Sequence, residues 1–546
     1  MLRIVNGRVY DPANGIDGEV RTIAVRDGRI VPEADLPDGA RTIDARGMLV
    51  LPGGVDLHSH IAGPKVNAAR KLRPEDHRAA EPVRRTAITR SGVMGANPST
   101  FATGYTYARL GYTTAFDAAV TPLAARHAHE ELHDTPLIDK GFLVLMGNNE
   151  FILRCLRAGE TEKLRHFVAW LLGAARGFGV KVVNPGGVEV WKDSGGNVTG
   201  LDDVVPAYGV TPRQIVVALA QAVTDLGLPH PVHIHANNLG VGGNWAATLE
   251  TMKALEGRRA HLAHIQFHSY GGQPGGLIHS RVAELVDYVN AHSNLSVDVG
   301  QVVFGDTTSM TGDGPLGYYL HGLTGRKWFN GDVELEEGCG IVPIRYKARS
   351  HVHTTQWAIG LEWLLTMADP WRIALSTDHP NGGSFVAYPR VIRLLMDREF
   401  RREAIRAVNA KAIARTRLPE LDREYTLSEI VTVTRAAPAR LLGLAAKGHL
   451  GPGADADIAI HDVGPDWEET FATPRYVVKA GEVTVEDGEI RRDVQGRTFH
   501  VEPAYDRGIE TEIRKWFADF YTIEFANYAV EPEYLAHPAR VPTASG

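Results

Sequence analysis

At 546 residues, with 44% hydrophobic and 23% charged side chains, the chain has ordinary globular composition and enough apolar material for one large domain and a smaller one. A formal net charge of -7 and a pI near 6.4 argue against general nucleic-acid binding or attachment to anionic membranes. Two cysteines, Cys155 and Cys339, make neither a disulfide framework nor a thiolate metal site.

No apolar run approaches the roughly 18 residues of a membrane span. The start, Met1-Leu-Arg-Ile-Val-Asn-Gly-Arg8, reads as a short charged strand rather than a signal core, so a cytoplasmic protein is expected. Residues 1–50 hold short alternating strands with turns such as Asp27-Gly28 and Arg46-Gly47. The same texture returns in residues 448–462 and 476–490, so two separated pieces are expected to build one β-sandwich.

Between them, apolar runs alternate with helical patterns. Strands are expected at residues 50–57, 112–119, 142–147, 180–184, 232–236, 261–266, 295–304 and 372–377. Thr211-Pro212 offers an N-cap and a first-turn Pro for the helix that follows. Eight strands alternating with helices predict an α/β fold, a (β/α)8 TIM barrel with the small composite sandwich beside it, whose site lies at the C-terminal strand ends. The expected divisions are 1–50 (first sandwich part), 51–430 (barrel), 431–500 (second sandwich part with a preceding helix) and 501–546 (C-terminal extension).

Candidate ligands should therefore end strands. In Leu51-Pro-Gly-Gly-Val-Asp-Leu-His-Ser-His60, His58 and His60 stand at i and i+2, which share one face of a strand and can grip one metal. The same spacing at His127/His129 falls in a helix-like stretch, where it does not share a face, and His351/His353 stand in a polar approach to a helix. His233 and His235 lie in Pro231-Val-His-Ile-His-Ala-Asn-Asn238, with the later one nearer the mouth. Lys181 falls in the fourth strand, His264 late in the sixth, competing with His261 and His268, and Asp378 ends the eighth. Long Gly-rich and polar segments at 61–110 and 301–350 should shape the mouth.

These residues, with the closing motif at 448–462, resemble the amidohydrolase superfamily. More narrowly, residues 56–67, 232–240 and His264-Ile-Gln-Phe-His-Ser-Tyr-Gly271 are similar to the family that contributes the amidohydrolase-type subunits of formylmethanofuran dehydrogenase and of the bacterial formyltransferase/hydrolase complex. Asn237 departs from hydantoinase-like relatives, which commonly place an acid there. The resemblance implies two divalent metal ions on His58, His60, Lys181, His235, His264 and Asp378, with zinc expected and Mn or Fe as alternatives. It implies a carbamylated Lys181, whose two-oxygen anion could bridge the metals, where a free ammonium could not; the alternative is an ordinary lysine paired with Asp378. Asp378 would be the catalytic proton carrier. The implied reaction is hydrolysis of N-formylmethanofuran to formate and methanofuran, a carrier substrate of one-carbon metabolism, with other subunits of the complex as partners. The alternatives are the condensing direction in a CO2-reducing formylmethanofuran dehydrogenase and a stand-alone cyclic amidohydrolase. Around the carrier, the expected contacts are Lys65 and Arg70 from the basic run at 65–73, with Asn237 and His268. The bland reading of that run is a solvated loop, and of His268 and His379 a polar lining.

Overall fold

The computed structural model describes residues 1–76, 82–331 and 339–544. Eight of its strands form the barrel: Gly54–Ser59, Tyr112–Val120, Asp139–Leu145, Gly179–Val183, Val232–His235, Ala260–Leu262, Leu295–Asp298 and Ile373–Ala374. Each pairs in parallel with the next. A parallel bridge between Ser59 and His379, with His60 N–H donating to the His379 carbonyl at 2.7 Å, brings the ring close to closure. Every residue of these eight strands is buried, as expected where helices cover the outer face and side chains fill the inside.

The run expected as one first strand is divided. Leu49–Pro52 joins the composite sheet, antiparallel to Ile458–His461, and only Gly54–Ser59 belongs to the barrel. Gly53 and Gly54 mark the switch because the chain there runs against the second strand. A Cβ on Gly53 would lie 2.3 Å from Thr113 Oγ1, and one on Gly54 2.6 Å from Tyr112 Cγ.

The composite domain is a nine-stranded sheet whose strands come from both ends of the chain. It encloses its own core, with Ile4, Val9, Val25 and Val50 against Ile458 and Val478. A buried charge network ties it to the barrel. Asp139, opening the third barrel strand, meets Lys479 Nζ and Arg497 Nη2, each at 2.9 Å, and also Lys447. Asp457 completes the group, with Lys479 Nζ at 2.9 Å and Lys447. Leaving one such buried charge unpaired costs roughly 3–5 kcal/mol, so the two parts are fastened rather than merely adjacent.

Thr211 caps the helix Pro212–Asp225, with Gln214 reciprocating. The amphipathic segment near the C-terminus is the helix Ile509–Phe520, and its apolar stripe packs on this chain's own barrel. Trp516 meets Phe151 and Phe517 meets Trp170, with ring centroids 5.7 and 6.1 Å apart. Thr498–His500 and Pro538–Arg540 extend the barrel sheet beyond the third strand. At the mouth, the segment after the seventh strand forms an antiparallel pair, Gly305–Thr311 with Cys339–Tyr346, and the helix Gly314–Thr324. No described helix is long and apolar enough to cross a membrane.

Candidate metal centre

At the C-terminal strand ends, His58 Nε2 and His60 Nε2 both approach one oxygen, Asp378 Oδ1, each at 3.1 Å. Ligand atoms of His58, His264 and Asp378 lie within 4.8 Å of one another. The His264 ring stands 5.1 Å from that of His58 and 4.8 Å from that of His235, between centroids. His58, His60, Lys181, His235, His264 and Asp378 are all at most 4% exposed. Five of them, all but His58, line one cavity of about 530 Å³.

Two of these residues are held in backbone conformations that most side chains avoid. His264 has φ 33° and Asp378 φ 49°, each costing on the order of 1–3 kcal/mol that the surroundings must offset. His264 does not sit within the sixth strand, as its position suggested, but two residues beyond its end. Its backbone N–H donates to Asp298 Oδ1 at 3.0 Å, and Gly300 leaves it room, since a Cβ there would come 2.5 Å from His264 Cβ. Asp378 is fixed by Asn381, whose Nδ2 donates to Oδ1 at 2.9 Å.

Asp298 was not foreseen from the sequence. Fully buried, it accepts from His58 Nδ1 at 2.9 Å, His261 Nε2 at 3.1 Å and Ser376 Oγ at 2.5 Å. An acid closing the apolar run Leu295-Ser-Val-Asp298 was the available signal. Asp117 and Asp313 were also missed. Asp117 Oδ1 lies 3.5 Å from His60 Nδ1, and Asp313 Oδ2 3.4 Å from His235 Nε2. Carboxylates behind ligating imidazoles orient the rings and raise their basicity.

The electrostatics agree with a cation site. Burial would raise the Asp378 carboxyl, but His58 and His60 outweigh it and hold the group well below the usual carboxylate range. Burial, with the charges of His235 and Lys181 adding to it, keeps His264 and His268 well below the ordinary imidazole range. These rings therefore offer neutral nitrogens near neutral pH. His264 Nδ1 and both ring nitrogens of His268 are buried with no hydrogen-bond partner among the described residues. Four imidazoles and a carboxylate make a donor set that fits divalent metal, zinc included, with Lys181 on the same cavity wall.

The expected carrier contacts fare differently. Lys65 and Arg70, read as cations facing the substrate, are instead paired inside the chain. Lys65 Nζ bonds Asp117 Oδ1 at 3.2 Å and the Ala119 carbonyl, and Arg70 Nη1 bonds Glu131 Oε1 at 2.9 Å. Neither side chain lines that cavity, because these bonds turn both cations toward groups of the fold itself. Asn237 is likewise internal: its Nδ2 donates to Asn184 Oδ1 at 2.8 Å and the Pro185 carbonyl at 3.0 Å, bracing the turn after the fourth strand. His268 stacks on His264, centroids 5.3 Å apart, and His379 meets Phe385 edge-on. Exposed cations that do line the cavity are Arg326, Arg345 and Lys347, on the mouth segment after the seventh strand. Leu239, Phe267, Leu316 and Tyr319 give the same cavity apolar walls.

Likeness to known proteins extends over nearly the whole chain. The amidohydrolase family profile matches residues 41–485. The sequence is 46% identical to Protein FwdA of Methanocaldococcus jannaschii, over 97% of each chain. It is 41% identical to a component of the formyltransferase/hydrolase complex Fhc of Methylorubrum extorquens, over 97% of this chain and 96% of that one. The fold is similar, with a TM-score of 0.92 and 40% identity over 99% of both chains, to a chain in the crystal structure of the formyltransferase/hydrolase complex from Methylorubrum extorquens with methylofuran.

Proposed function

Because the chain belongs to the amidohydrolase family, we propose that it is the catalytic subunit of a cytoplasmic formyltransferase/hydrolase complex, hydrolysing N-formylmethanofuran to formate and methanofuran. The observation that carries this reading is the end-to-end likeness to one chain of a complex crystallised with methylofuran.

His58, His60, His235, His264 and Asp378 would hold two divalent ions, zinc by donor type, and Lys181, as a carbamate, would add an anionic oxygen donor. When bound, such ions make water acidic enough to attack near neutral pH and polarise a carbonyl. Forming the carbamate joins the neutral Lys181 amine nitrogen to the carbon of CO2, with loss of one proton. Asp378, held anionic, accepts the proton of the attacking water and delivers it to the departing amine nitrogen. His268, with both ring nitrogens lacking partners among the described residues, would hydrogen-bond a substrate oxygen or amide. The apolar walls exclude bulk water and suit the ring portion of the carrier.

The carrier's glutamates require cations, and Arg326, Arg345 and Lys347 take the role first given to Lys65 and Arg70. Charge reversal at Arg345 or Lys347 is expected to raise the KM for N-formylmethanofuran several-fold with metal content unchanged. Added salt should weaken binding in the native protein and less so in these variants, because exposed ion pairs are screened. An unchanged KM in the double variant would remove the mouth from substrate recognition.

The decisive test is the purified complex assayed for formate release from N-formylmethanofuran, with elemental analysis of the same sample. About two metal ions per chain and formate release are expected, with hydantoins and dihydropyrimidines turned over poorly. Brisk cleavage of cyclic amides and none of N-formylmethanofuran would promote a stand-alone enzyme. Hydrolysis and condensation are one reaction in two directions, and tungsten, molybdenum or iron–sulfur clusters in the complex would assign the condensing direction of a CO2-reducing formylmethanofuran dehydrogenase.

A further inference from the structure

Below the ligands, the barrel interior departs from the branched aliphatic filling usual for this architecture. His233 and His261, on the fifth and sixth strands, and His230, just before the fifth, are all fully buried. Three of the histidines stand in series. His230 Nδ1 lies 2.8 Å from the Leu441 carbonyl, His230 Nε2 lies 3.0 Å from His233 Nδ1, and His233 Nε2 lies 3.1 Å from His58 Nδ1.

The far end fixes the direction of this series. A carbonyl oxygen only accepts, so His230 must carry its proton on Nδ1. A neutral imidazole has a single N–H, so His230 Nε2 accepts and His233 Nδ1 donates to it. The same step leaves His233 Nε2 as an acceptor and places a proton on His58 Nδ1. Asp298 Oδ1, 2.9 Å from His58 Nδ1, accepts that N–H as well. At 3.8 Å from His233 Nε2, Asp298 is too far to draw the His233 proton the other way. His58 Nε2 is then the nitrogen left to face Asp378. Burial pushes His230 down to about 3, so it is neutral near pH 7, and the Asp298 carboxylate, which only accepts, independently places the proton on the His58 Nδ1 that faces His233 Nε2.

We infer that His230 and His233 are positioning residues. With Asp298 they form a one-way hydrogen-bond series from the Leu441 carbonyl that locks His58 in the tautomer whose Nε2 can take a metal. This rests on the reading of His58 as a ligand. Leu441 belongs to the helix Ala437–Leu442, which leads out of the barrel toward the composite sheet, so the tautomer of a ligand is set from the opposite end of the barrel.

The test compares two variants of one residue. His230→Gln can still donate to Leu441 and accept from His233, and should retain zinc with near-native affinity in competition with a chelator. His230→Leu fills similar space without either hydrogen bond, and should bind one zinc per chain roughly 10–100-fold more weakly, the usual loss when an outer partner of a metal ligand is removed. Native affinity in His230→Leu, or equal loss in both variants, overturns the inference. If the Leu variant does not fold, native metal-free protein labelled with 15N-histidine decides the matter. Protons on Nδ1 of His230 and His233 are expected, and a proton on Nε2 of either ring overturns it. Zinc bound without His58 in the native holoprotein would instead overturn the metal-centre reading, whatever the tautomers prove to be.

Discussion

Asp378→Asn is expected to keep the fold and lose turnover by a factor on the order of 10² or more, the scale of losing a positioned general base. The amide matches the carboxylate in shape, so Asn381 still finds an oxygen to bond. It carries no charge and does not accept a proton near neutral pH. In the native protein the carboxyl lies well below its ordinary range because His58 and His60 face it, which keeps it anionic throughout the neutral region. Its role as proton acceptor therefore needs no pH adjustment, and in the variant no change of pH should restore the rate. Steady-state turnover with parallel elemental analysis checks the outcome. A folded, metal-loaded variant with near-native turnover would give the proton transfer to another group, His379 being the adjacent candidate.

Lys181→Ala is expected to lose metal and activity together. Lys181 is 1% exposed on the fourth strand, its register partners being Leu145 and His233. It lines the same cavity as His60, His235, His264 and Asp378, which places the amine beside the candidate ligands. A cation there would repel two further cations, whereas a carbamate anion would attract both. Removing the side chain leaves four imidazoles and one carboxylate to neutralise two divalent ions, and affinity should fall accordingly. Metal content of the purified variant is the primary readout. Intact mass or a crystal structure, under conditions that preserve carbamates, should show carboxylated Lys181 in the native protein. A Lys181→Ala protein with native metal and turnover would remove the residue from the centre.

The sequence by itself determined where the first and fifth barrel strands end, whereas His264 and Asp378, read as closing the sixth and eighth, lie two and four residues beyond Leu262 and Ala374. Side chains alternate along a strand and parallel strands are buried on both faces, so a short apolar run closed by His58-Ser-His60, or by His235, declares its element and its exposed end within a few residues. The helix starting at Pro212 was legible for the same reason, since an N-cap Thr followed by a first-turn Pro is a local signal. Only the tertiary structure decided what stands behind those residues. Asp298 meets His58 across 240 positions, and Lys65 meets Asp117 across 52. No local pattern records such pairings, and so Lys65 and Arg70, which read as substrate contacts, proved to be paired within the fold. The division of the first strand at Gly53-Gly54, the left-handed backbone of His264 and Asp378, and the histidine series beneath the centre follow likewise from how distant segments pack, because their geometry is imposed by neighbours the chain reaches only after it has folded.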